Sequence, residues 1–495
     1  MKKQGLIFCI YLPLLTYSQN RIEILQHYLT ALHDDNGMNG NIVVVENGNI
    51  VYKNSFGYAD FANQKTNTDA SLFPLASISK TFTAIAVLQL KERSKIKLDD
   101  PFAKYFKDFP YPGITIRQLL SHTSGLPDME ALFDSLITKQ PDKIFTNADI
   151  IPALIIYKRS KPLPFESGEK WGYSNVGYQL LALLIEKISR IPFAEYMKRN
   201  IFIPAGMANT YVQTSLAQTK DNNRTVNYQY NNHFEMKLMQ MDTVASWKEW
   251  TYNLTGLTGS TNVISNVMDL VNYDRALYSG KLINTSSLEE AFTPTKLNNG
   301  ENNKAANGSS YGLGWFIKDD PIAGKTVSHS GAAPGVSTLL VRNLSKKQTV
   351  IVLHNVQGPP DADNRILDIL NDKPVTYKAS LAFAYASNLY LKGTDYASSF
   401  FNAYRMDTLH YYLSQAEMDR AGLEFSRKNF QAQALETYKI NTLLFPESWR
   451  TFNSYGNALL RNGKKEEALL MFERSISLNP NDENGKTVIK QIKAE

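Results

Sequence analysis

Apolar positions recur at helical spacing early in the chain. Ile22, Leu25, Leu29 and Leu32 form one stripe and predict an amphipathic helix over residues 21–33. Two β-rich runs follow, 41–46 and 50–58, separated by Asn47-Gly48. Asn-Gly between such runs predicts a tight hairpin. Phe82, Ile85, Ala86 and Leu90 predict a helix that opens near Ser77. Residues 100–300 mix helical patterns with loops rich in Gly, Pro and Asn, and 177–188 is their clearest apolar helix. Strand patterns return at 312–317, 326–330, 338–342 and 349–355, and a short helix over 365–370 closes the region. The pattern predicts an α+β domain: a sheet built from both ends of the region, with a helical insert between.

The tail follows a different rule. Gly422 matches Gly456, Ala434 matches Ala468, Tyr438 matches Phe472, Leu444 matches Leu478 and Pro446 matches Pro480, all 34 positions apart. Small residues at fixed points let paired helices approach, an aromatic fills the groove between them, and proline stops the second helix. This is the tetratricopeptide period, and Tyr404 extends its register back once more. Such arrays build a concave groove, so a protein or peptide partner is expected for the tail.

The start of the chain adds an address. Lys2 and Lys3 precede an apolar run over 5–15, and Thr16 and Ser18 suit cleavage before Gln19. Residues 1–18 are therefore predicted to be a signal peptide, and the mature protein secreted or periplasmic. The run is too short to span a bilayer, and no other run approaches the roughly 20 residues required. Cys9 is the only cysteine and lies inside this segment, so a mature chain has neither disulfide nor thiol chemistry. Net charge is +6 and well mixed, which indicates no nucleic-acid partner. His27, His33, His233, His354 and His410 show no metal-ligand spacing, and no metal or cofactor is expected.

The candidate chemistry starts at Ser77-Ile78-Ser79-Lys80. A serine and a lysine three residues apart on a helix share a face, about 5–6 Å apart at Cβ. That suits a serine nucleophile whose proton goes to a neighbouring amine. Tyr173-Ser174-Asn175 and His329-Ser330-Gly331 follow in order and supply a phenol, a carboxamide and a polar strand. Ser-x-x-Lys recurs at Ser94 and Ser167, and chance alone supplies roughly two in a chain this long. Ser94 lies in a charged run and Ser167 precedes helix-breaking Gly168, so both are taken as decoys.

Together these motifs resemble the penicillin-recognising serine hydrolases, in the branch of class C β-lactamases, DD-carboxypeptidases and esterases. The resemblance runs over roughly residues 25–370. It includes 114–127 (ITIRQLLSHTSGLP), Glu166-Ser167-Gly168, 203–207 (IPAGM), 311–315 (YGLGW) and 329–335 (HSGAAPG). It implies an antiparallel sheet flanked by helices, with an all-helical region beside it. It also implies roles: Ser77 the nucleophile, Lys80 its base, Tyr173 the proton shuttle, and Asn175 the carboxamide that hydrogen-bonds the substrate's acyl-side amide. The backbone N–H groups of Ser77 and Ala332 would form the oxyanion hole, with His329, Ser330 and Gly331 lining the substrate.

Penicillin-binding relatives usually carry Lys-Thr-Gly where this chain has His329-Ser330-Gly331. Histidine is mostly neutral at pH 7, which weakens selection for a substrate carboxylate. His329 either binds substrate or is a satisfied structural histidine. His122 is expected to be structural, and Trp171 and Trp315 either line the cleft or pack. The division expected is a leader at 1–18, a hydrolase domain at 19–372, a helical linker or degenerate first repeat at 373–411, and repeats at 412–495. The expected activity is hydrolysis of a D-Ala-D-Ala-type peptide, a β-lactam or a small ester through an acyl-enzyme. The rival is a penicillin-binding or sensor protein that acylates without turnover and signals through the tail.

Overall fold

The computed structural model describes residues 12–214, 216, 218, 221–231, 234–235, 237–321, 323–356 and 364–494, without the side chains of 12–19, 364 and 484. Lys2, Lys3, Cys9 and His233 lie outside the described residues. Residues 12–18, expected to end the leader, belong to the first helix, α1 (Leu12–Asp34).

The main sheet has seven strands. They are β1 (Gly40–Glu46), β2 (Asn49–Phe56), β3 (Ser310–Tyr311), β4 (Phe316–Asp320), β5 (Gly324–Ala333), β6 (Val336–Asn343) and β7 (Gln348–His354). Their spatial order is β3-β4-β5-β6-β7-β1-β2, and every pair is antiparallel. The N-terminal hairpin thus joins the C-terminal strands, as the pattern predicts. Asn47 and Gly48 both have positive φ, which the two central positions of a type I′ turn need. β7 is buried along its whole length and pairs with β1 from Gly40↔His354 to Glu46↔Gln348.

One strand pattern breaks in two. Residues 312–317 read as a strand, yet the chain turns between β3 and β4. Gly314 has φ +89, and a Cβ there would meet the Lys80 carbonyl and the Ala84 side chain. The glycine lets this turn press against α2 (Ser79–Glu92), the helix that follows Ser77. α2 itself is buried on every face from Ser79 to Leu90, more than its apolar stripe predicts. A helix with no polar face is enclosed between layers. α3 (Met129–Lys139) and α4 (Asn175–Ser189) belong to the helical insert, and α4 packs on α2.

The chain forms two compact units. One holds the sheet and its helices and ends at Val375; the other is Thr376–Glu495 together with Tyr230–Leu238. The second unit therefore includes a short segment from far upstream, which a contiguous division at 372 does not foresee. Phe234 of that segment is buried among Tyr385, Met418 and Phe425, and its ring stacks on Phe425 at 4.0 Å.

The rest of this unit is mainly helical. Helices Leu381–Lys392 and Thr394–Tyr404 occupy the stretch expected to hold a linker or first repeat. Next come α5 (Gln415–Arg427), α6 (Gln431–Leu444), α7 (Trp449–Arg461) and α8 (Lys465–Leu478). Both ends of α7 lie 34 residues after those of α5, and both ends of α8 lie 34 after those of α6. A Cβ on Gly422 would meet the Tyr438 ring, and one on Gly456 would meet the Phe472 ring. Glycine and aromatic thus meet the same way in each helix pair.

Candidate active site

Ser77 sits in a 3-10 turn, Ala76–Ile78, that leads into α2. Ala76 has φ 45, a left-handed conformation that costs a residue with a Cβ about 1–2 kcal/mol. One turn into the helix system, Lys80 is wholly buried. Its Nζ lies 3.1 Å from Ser77 Oγ, 2.7 Å from Asn175 Oδ1 and 3.0 Å from the Ser260 carbonyl oxygen. Burial pulls the Lys80 ammonium down to about 7, against the opposing pull of the Asp128 carboxylate.

The tyrosine comes from the loop before α4. Tyr173 OH donates to Ser77 Oγ at 2.8 Å. Burial pushes its phenol well up, and the bond to Ser77 offsets part of that. Ser77 Oγ thus has an amine on one side and a protonated phenol on the other. Asn175 opens α4 and is held from beyond by Asp128. Its backbone N–H donates to Asp128 Oδ1 at 2.8 Å and its Nδ2 donates to Oδ2 at 3.0 Å.

β5 brings the third group. Past Ser328 it has no β4 partner, while its pairing with β6 continues to Ala333. The strand edge at 329–333 is therefore open on the β4 side. Gly331 lies against the Ser77 turn: a Cβ there would be 2.4 Å from the Leu75 carbonyl and 3.0 Å from Ser77 N. Ser330 and Ala332 are exposed, and His329 and Gly331 are buried.

His329 is placed differently from a substrate-facing cation. It is 1% exposed, its Nδ1 pairs with its neighbour's carbonyl, Ser330 O, at 2.7 Å, and its Nε2 faces Tyr311 OH at 3.3 Å. Burial, then the nearby Lys80 charge, push its imidazolium down to about 3. It is a neutral, satisfied ring, because an imidazole in an apolar pocket cannot keep a proton without a counter-charge.

His122 is also buried and neutral. Its Nδ1 accepts from Ser174 N–H at 3.2 Å, and its ring lies 4.3 Å from that of Tyr173. Trp171 stands 6.1 Å from Tyr173, whereas Trp315 packs in the core against Phe292. Of the decoys, Ser94 is exposed and Ser167 Oγ donates to Gln118. Sequence reasoning missed Asp128, Ser260 and Tyr311. Asp128 carried one signal, an N-cap residue just before an apolar helix, and it does cap Met129 N–H. Nothing local linked it to Asn175.

The Beta-lactamase family matches residues 25–372 of this chain. The chain belongs to that family. A curated relative, penicillin-binding protein 4* of Bacillus subtilis (strain 168), is 37% identical over 350 residues, covering 70% of this chain and 75% of the relative. A penicillin binding protein from Bacillus halodurans has a similar crystal structure, with TM-score 0.59 and 25% identity over 70% of this chain and 99% of that one. The D-amino acid amidase of Ochrobactrum anthropi SV3 shares the fold at TM-score 0.55, with 22% identity over 71% of this chain and 96% of that one. Family membership makes the chain a β-lactamase-type serine hydrolase with an α+β fold. Among the described residues, no helix is long and apolar enough to cross a membrane.

Proposed function

We propose that the chain hydrolyses an amide, β-lactam or ester through an acyl-enzyme on Ser77. The observation that carries this is the set of partners around Lys80. A neutral amine has two N–H groups and one lone pair. Asn175 Oδ1 and the Ser260 carbonyl only accept, so they take both N–H groups. The lone pair is left for Ser77, whose hydroxyl donates to it across 3.1 Å. An amine titrating at about 7 is neutral in half the molecules at that pH.

Attack then forms the bond from Ser77 Oγ to the substrate carbonyl carbon as the Oγ proton passes to Lys80. The negative charge moves to the carbonyl oxygen, against the N–H groups of Ser77 and Ala332. Removing one such donor typically costs about 100-fold or more in rate. The leaving nitrogen or oxygen takes a proton from Tyr173 as its bond to carbon breaks, and the proton held by Lys80 restores the phenol. Water then attacks the acyl carbon, gives its proton to the same pair, and Ser77 departs with one.

The place where the family resemblance leads one to expect lysine holds a neutral, buried histidine here. Neutral esters and amides are therefore favoured over carboxylate-bearing substrates. A labelled penicillin, a D-alanyl-D-alanine peptide and a nitrophenyl ester, each followed for adduct and for product, test the proposal. Ser77→Ala is expected to abolish labelling and cut turnover about 10³-fold or more, whereas Ser94→Ala and Ser167→Ala change little. Wild-type turnover in Ser77→Ala would overturn it. A single burst without further product would instead favour a non-turnover binding protein.

The tail fits a tetratricopeptide-like array that binds a protein or peptide, supported by its 34-residue helix offsets. Export, with loss of residues 1–18, fits the apolar leader and its two lysines.

A further inference from the structure

Asn175 is held at three points, and their chemistry fixes which way its amide faces. Its backbone N–H and its Nδ2 both donate to the Asp128 carboxylate, at 2.8 and 3.0 Å. A carboxylate only accepts, so the NH2 end must face Asp128 and the oxygen must face Lys80 Nζ at 2.7 Å. Were the amide reversed, its NH2 would point at Lys80 and compete with Ser77 for the amine's lone pair.

Resting on the acyl-enzyme reading above, we propose that Asp128 is a positioning residue that sets the orientation of Asn175 and thereby aims the Lys80 lone pair at Ser77. Asp128 reaches Lys80 through Asn175 and also through its charge. The ionisable groups around Lys80 are Asp128, Tyr173, Tyr178, His122 and His329. Both histidines are buried and neutral, and burial keeps both phenols protonated. Asp128 is the anion in this group, and its charge keeps the Lys80 proton on to higher pH than burial alone would.

Asp128→Asn separates this role from a structural one. Asparagine caps a helix as well as aspartate does, so the start of α3 is retained. Its carbonyl oxygen can serve the Met129 and Asn175 backbone N–H groups. Its NH2 then confronts the Asn175 NH2, which favours the reversed amide. The expected result for nitrophenyl ester hydrolysis is a fall in the kcat/KM plateau of about tenfold or more. At the same time the acid limb moves about one unit to lower pH, because an opposite charge near Lys80 is gone. Asp128→Ser, which caps but forces no reversal, should show the same shift of the limb with a smaller fall. In an Asn175→Ala background, Asp128→Asn should no longer lower the plateau. An unmoved acid limb, or a full additional loss in the Asn175→Ala background, would overturn the proposal. If Ser77→Ala is inactive while Asp128→Asn matches wild type, this inference fails and the acyl-enzyme reading stands. If Ser77→Ala stays active, the acyl-enzyme reading itself fails.

Discussion

The proposed role of Lys80 as a neutral base predicts a signature in both rate and stability. The kcat/KM of ester hydrolysis should rise with pH through an apparent pKa near 7, as Lys80 becomes neutral. The unfolded chain holds this proton up to about 10.5, the folded chain only up to about 7. Between those values the unfolded state binds more protons, so stability rises with pH. Melting temperature should therefore climb from pH 7 to 10, and Lys80→Met should flatten that climb. An equal climb in both proteins would mean that Lys80 is not the buried amine described. Ser77 and Lys80 were legible in the sequence because three residues on a helix define a face. The burial of His329 was not, because it depends on Tyr311 and Phe316 closing over it from other strands. Asp128 was hidden for the same reason: its partner lies in a different helix.

Strand β5 joins the site at one close contact. A side chain at Gly331 would meet the Leu75 carbonyl at 2.4 Å and Thr338 Oγ1 at 2.3 Å. Gly331→Ala must push the strand away from the Ser77 turn, and overpacking of this kind costs about 1–3 kcal/mol. The chain should still fold, but the Ala332 N–H would be displaced. Single-turnover labelling should slow by about 100-fold, since a misplacement near 1 Å has that effect. Normal labelling in a folded Gly331→Ala protein would remove Ala332 from the proposed oxyanion hole. The strands themselves were legible from apolar periodicity, whereas the turn over 312–315 has the pattern of a strand. Glycines that permit a sharp approach also leave the apolar residues around them looking continuous.

At the scale of the whole chain, the sheet built from both ends was legible, since the hairpin at 41–58 and the strands after 310 are all short β-rich runs. The excursion of residues 230–238 into the tail unit was not. One phenylalanine among Asn, His, Glu and Lys carries no period, and its partners lie far downstream. Cutting the chain after Val375 removes Phe383, Tyr390 and Phe425, the rings that cover Phe234. A chain ending at Val375 should therefore self-associate, and adding Phe234→Ser should reverse that association by light scattering. That second chain should keep whatever ester hydrolysis the full chain shows. If it is folded by circular dichroism yet inactive, the tail contributes to the site.

The same phenylalanine sets a timetable. Residue 234 leaves the ribosome well before residues 381–425, and at 5–20 residues per second the gap is on the order of ten seconds. Through that interval the tail's earliest core residue waits without its partners. A recombination event that grafts or deletes the tail in one cut therefore leaves one half of that core orphaned, and inheriting the two units separately takes a change at two distant loci.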